Sequence, residues 1–128
     1  MLQQRQARND RRRQALIDLQ RALLDHMVTA GLTYVRRGAH FRLTGEWPPL
    51  LAGGSTHGAQ TQTAYPAHIV ARIDDDELRR LVHGLLEAIN VATILATTAE
   101  EADQAIARMT ELNVQSRERI ETLLARLP

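Results

Sequence analysis

Apolar residues return every three or four positions between Ile73 and Leu95, where Leu78, Leu81, Val82, Leu85, Ile89 and Ala92 line one face of a helix. Asp74 followed by Glu77 predicts a capping box at its start, with negative charge where the helix dipole is positive. No charged residue occurs from Ala88 to Ala99, so the second half of this helix needs cover on several sides. That cover comes from the rest of the chain or from other subunits. Residues 3–30 form a second pattern, polar and basic at first and then amphipathic. Leu16, Leu19, Leu23 and Met27 make its stripe, Ile17 and Leu24 widen it, and Gly31 is placed to stop the helix.

After Gly31 the period changes. Thr33, Tyr34 and Val35, then Arg36-Arg37-Gly38-Ala39, then His40 to Leu43, predict a short β-hairpin turned by Gly38. Residues 67–73 alternate well enough for a third strand, with Ile69, Ala71 and Ile73 on one face. Between them, Trp47 to Ala71 contains no Asp, Glu, Lys or Arg, and Pro48, Pro49, Gly53, Gly54, Gly58 and Pro66 break any regular element. A loop this long is usually functional or disordered. One reading has it ordered on a neighbouring surface through Trp47, Leu50, Leu51 and Tyr65; the other makes it a Gly/Thr/Gln tether.

Thr98 and Glu101 make another capping box, opening a helix that reaches Leu127. Its heptad places Ile106, Asn113, Ile120 and Leu127 at one seam position and Met109, Ser116 and Leu123 at the other. Asn113 and Ser116 are polar seam residues of the kind that fix register and oligomer number. This favours self-association over an amphipathic helix spent within the chain. The expected fold is therefore α+β and mainly helical: a helix with a basic arm over residues 1–30, a small α+β core over 31–97 with a neutral loop at 44–67, and an oligomerising helix over 98–128.

Composition narrows the classes. With 128 residues, one Trp, one Phe and two Tyr, the core must rest on Leu, Ile, Val and Ala. A net charge of +1 gives no global attraction to nucleic acid or membrane, yet residues 1–21 carry six Arg against two Asp. Arg8, Arg11, Arg12 and Arg13 could contact phosphates or an acidic partner; a solvated helix face is the favoured reading. All sixteen basic residues are Arg, which fits the coding bias of a GC-rich bacterial or phage genome. The absence of Cys excludes disulfides and thiolate metal sites. No apolar run approaches the ~20 residues of a membrane span, and the polar N-terminus does not read as a signal peptide.

Catalytic patterns do not emerge. The histidines at 26, 40, 57, 68 and 83 include no pair at the spacing that lets one helix face hold a metal. Helix capping accounts for Asp74 to Glu77 without a cation. Gly53-Gly54-Ser55-Thr56 lacks the Lys of a phosphate loop. The expectation is a protein that is not an enzyme and holds no cofactor or metal.

Arg11-Arg12-Arg13 leading into a helix, Gly31-Leu32-Thr33-Tyr34, and Gly38-Ala39-His40-Phe41-Arg42-Leu43, followed by an acid-started helix and a further helix, resemble a bacteriophage family. This is the small domain of unknown function in phage tail and tail-fibre-associated proteins, in which a helix precedes a hairpin of the form Gly-x-x-Phe. The resemblance covers residues 10–106 and departs between Trp47 and Ala67, where the family has a further helix. It implies a virion component of the tail, baseplate or fibre, made in the host cytoplasm, with no catalytic residues to carry over. Its expected partners are itself, a trimer being favoured, and other virion proteins, with no membrane. The alternatives are an assembly chaperone or adaptor, and a nucleic-acid-binding regulator using the Arg arm.

Overall fold

The computed structural model describes residues 2–48 and 65–128. Helix α1 runs over Leu2–Thr44 and a short helix α2 occupies 65–71; α3 spans Asp76–Asn90 and widens into a π-helical turn at Val91–Leu95, and α4 spans Ala99–Arg126. The short connection after Leu95 makes α3 and α4 antiparallel neighbours with the most extensive packing in the molecule. Arg13 near the start of α1 reaches Pro128, whereas Tyr34 near its end reaches Asp103 at the start of α4, so α1 is antiparallel to α4. One core holds the four described helices: Leu16, Leu19 and Leu23 from α1, Ile69 and Val70 from α2, Leu78, Val82 and Leu85 from α3, and Met109, Ile120 and Leu123 from α4.

No strand occurs among the described residues, which overturns the expected α+β fold. The residues read as a hairpin, 33–43, continue α1, and 65–71 is helical where a third strand was expected. Leu16, Leu19, Leu23, His26, Ala30 and Arg37 are all buried, at steps of three, four, three, four and seven residues. The helical period therefore passes straight through Gly31, but small and polar side chains occupy its inward positions and conceal it. Thr29 and Thr33, weak helix formers, turn their hydroxyls back to the carbonyls of Asp25 and Thr29 at 3.1 and 3.0 Å.

The glycine that ends α1 is Gly45, not Gly31. It has φ +75°, and its N–H donates to the Phe41 carbonyl at 2.7 Å, closing the last turn. Helix α3 begins one residue later than Asp74 predicts. Asp75 is the cap: its carboxylate accepts the Leu78 N–H at 2.9 Å, while Asp74 is exposed. Thr98 caps α4 as expected, accepting the Glu101 N–H at 3.1 Å, and the Glu101 carboxylate reaches back to the Thr97 N–H at 3.0 Å.

The apolar face read for the central helix is the one that is buried. Leu78, Leu81, Val82, Leu85, Ile89 and Ala92 all face inward. The uncharged stretch after it is also largely covered by its own chain, since Ala88, Thr93 and Ala96 are buried and Leu95 is the large side chain left exposed.

Candidate functional site

The seam residues of α4 are spent inside the chain. Met109, Ser116, Ile120 and Leu123 are buried, and Ile106 and Leu127 pack against the same core. Asn113 is half-buried beside α1, lining a groove of about 270 Å³ with Gln20, Leu24 and Arg117. Ser116 is fully buried and its hydroxyl has no hydrogen-bond partner among the described residues.

Helix α1 carries a second apolar face that the described residues leave largely exposed. Leu24 is 63 % exposed, Val28 56 %, Leu32 54 % and Val35 60 %. These residues step by four, four and three positions, and at ~100° per residue they point roughly opposite to Leu16, Leu19, Leu23 and Ala30. Leu24 therefore does not widen the inner stripe but belongs to this outer one. Gly31 lies beside it, and a Cβ built there would meet nothing within 4 Å. A helix interior favours Ala over Gly by roughly 0.5–1 kcal/mol, and no contact among the described residues calls for glycine at this position.

Trp47 is held by the chain itself. Its ring lies 6.1 Å from Tyr34 and 6.4 Å from Phe41, in tilted contacts, and the Arg37 guanidinium sits 5.6 Å from its centroid. Arg37 is buried and donates to the Thr93 carbonyl at 3.1 Å and the Pro48 carbonyl at 2.9 Å. Burial pulls its pKa below the ordinary arginine value. The π turn explains the first of these bonds. A helix end leaves carbonyls without intrahelical donors, and a buried cation answers one of them where the dipole is negative. Tyr34 donates to the Asp103 carboxylate, and that bond raises the Tyr34 pKa. Tyr65, expected beside Trp47 in a partner contact, is exposed, and Leu50 and Leu51 lie outside the described residues.

The arginine cluster divides. Arg13 bonds Asp10 at 3.3 Å and the Pro128 carbonyl at 3.1 Å, and Arg12 makes a long 3.5 Å contact to the Asp74 carbonyl. Arg8 and Arg11 are exposed, as is Arg5, on a stretch of α1 whose residues 2–8 are exposed on every side. At the same end of the bundle, Arg119 of α4 grips the Asp75 cap through two bonds of 3.0 and 2.7 Å and lies 3.4 Å from Glu77.

Neither the Arg37 cluster nor the Asp75–Arg119 pair was foreseen. Arg37 falls in the expected turn, and Arg119, the ion-pair partner of Asp75, lies 44 positions away. The outer face was legible as Leu24, Val28, Leu32 and Val35 once the helix was known to continue. No group of three or more His, Asp or Glu among the described residues is placed to share a metal, and no described helix is long and apolar enough to cross a membrane. Compared with known proteins, the chain matches no family model, no curated protein and no solved structure.

Proposed function

We propose that the protein is a non-enzymatic structural subunit that assembles as a small homo-oligomer and acts by packing helix faces against neighbouring protein. The observation that carries this reading is the outer face of α1, where four large aliphatic side chains in register are each more than half exposed. Single exposed apolar residues are ordinary on a protein surface, whereas a contiguous stripe marks an interaction site. The α4 seam does not support the reading, because its large residues already fill the intramolecular core.

The setting we propose, a phage tail, baseplate or fibre, rests on the resemblance alone. Its hairpin element has no counterpart, since Gly38 to Leu43 lie in α1. Light scattering at micromolar concentration tests the assembly: a mass above 14.4 kDa is expected, and one species of 14.4 kDa at every concentration refutes it. Purified particles test the setting. A structural subunit remains in finished particles, while an assembly chaperone does not.

The exposed Arg5, Arg8 and Arg11 favour a second reading, in which this arm binds nucleic acid through phosphate contacts. Duplex DNA should then shift the protein at low salt and release it as salt rises. Absence of a shift at low salt removes this alternative.

A further inference from the structure

We infer that the outer face of α1 is covered by α1 of a second copy, docked antiparallel about a twofold axis at Gly31. The inference rests on the reading of the protein as a self-associating subunit and adds the surface and arrangement. It starts from the space at Gly31, where an added Cβ would meet no described residue within 4 Å. Glycine there gives up helix propensity without a cause among the described residues, and close approach of another backbone supplies one. Gly38 follows seven residues later on the same side of the stripe, and among the described residues its added Cβ would meet within 4 Å only the end of the Arg42 side chain, at 3.9 Å.

Symmetry turns these positions into a register. Leu24 lies seven residues before Gly31 and Gly38 seven after, so each Leu24 stands level with the partner's Gly38, a large side chain over a gap. Val28, three before, meets the partner's Val35, four after. An isologous contact of this kind closes on itself. Charge favours the antiparallel sense. Asp25, six before the axis, and Arg36, five after, are both exposed along one rim of the stripe. Antiparallel docking sets Asp25 against the partner's Arg36 twice. Parallel docking carries the two copies of that rim to opposite sides of the contact, so neither Asp25–Arg36 pair forms. Arg21 and the partner's Arg42 share each outer end as like charges, where both are exposed and screening acts over ~8 Å.

The chain has no Cys, so single cysteines report the arrangement in the full-length protein. Leu32→Cys, next to the axis, should oxidise to a covalent dimer, and Leu43→Cys, far from it, should not. Asp25→Arg should weaken the dimer about tenfold, with Asp25→Arg/Arg36→Asp restoring it. Gly31→Leu should abolish the dimer while leaving helix content and thermal stability of the monomer equal or higher, which separates a lost interface from a lost fold. A protein that is monomeric at every concentration overturns both this inference and the reading beneath it. A dimer that survives Gly31→Leu, that cross-links at Leu43→Cys, or that the double charge swap fails to rescue overturns this arrangement alone.

Discussion

Glycines 31 and 84 both sit inside helices, yet their surroundings assign them different roles. A Cβ at Gly84 would approach Leu112 Cδ1 at 3.3 Å, so this glycine lets α3 and α4 close on each other, whereas Gly31 faces open space. Gly31→Ala should therefore stabilise the protein in dilute solution by about 0.5–1 kcal/mol, and Gly84→Ala should gain less because the Leu112 methyl must move. Chemical denaturation of the two variants checks this, and an equal gain from both would contradict the close approach at Gly84. Ser116 is a second residue whose cost is visible. A fully buried hydroxyl without a partner among the described residues has lost its water for nothing, so Ser116→Ala should raise stability by roughly 1 kcal/mol, or a few degrees in Tm. A fall in Tm would mean that the hydroxyl is satisfied in solution.

At the scale of elements, Asp75 binds the start of α3 to the far end of α4. Its carboxylate accepts the Leu78 N–H and both Arg119 bonds, and Arg119 holds its pKa below the ordinary carboxylate value, with the Leu78 bond acting in the same direction. The sign of the linkage follows from that depression. Because the folded pKa lies below the unfolded one, near ~4, the stabilisation is fully present above the unfolded pKa and is lost as pH falls through the folded one. Between neutrality and about pH 5 this pair should leave stability unchanged. Asp75→Asn retains a side chain that can cap the helix but loses the charge pair, so thermal melts across the acid range should show a shallower loss below pH 4 than in the parent. Parallel acid limbs for the two proteins would remove Asp75 as a source of acid sensitivity. The other end of α3 is held differently, by Arg37 against the Thr93 carbonyl, so an arginine stands at each end of the same helix with opposite electrostatic tasks.

The whole molecule is a short bundle on a helix too long for it. At ~1.5 Å per residue α1 extends about 64 Å and α4 about 42 Å, and the excess lies at the basic end of α1. Residues 2–8 are exposed on all sides, and the Asp10–Arg13 pair is itself exposed, a type of contact that contributes little. Removing residues 2–11 should leave the melting temperature within about 2 °C of the parent. A larger fall would place this arm within the folded unit. Self-association leaves a separate signature at this scale: a melting temperature that rises with protein concentration, as mass action requires.

What the chain determines without its tertiary structure is the inner face of α3, the Thr98 cap of α4 and the leucine stripe early in α1, because strong apolar periodicity and local capping chemistry need only near neighbours in sequence. The apolar residues of the α4 heptad were equally plain, but sequence could not say whether they met another copy or α1 and α3 of their own chain. That depended on which surfaces the other helices left free. Helix α1 beyond Gly31 was hidden for a related reason. Its inward positions are Ala30 and Arg37, and the carbonyls of Thr93 and Pro48 and the ring of Trp47, all brought there by folding, make a buried arginine tolerable. Glycine, threonine and valine favour a turn and strands when weighed locally, and the packing of α1 against α4 and the π turn outweighs those preferences.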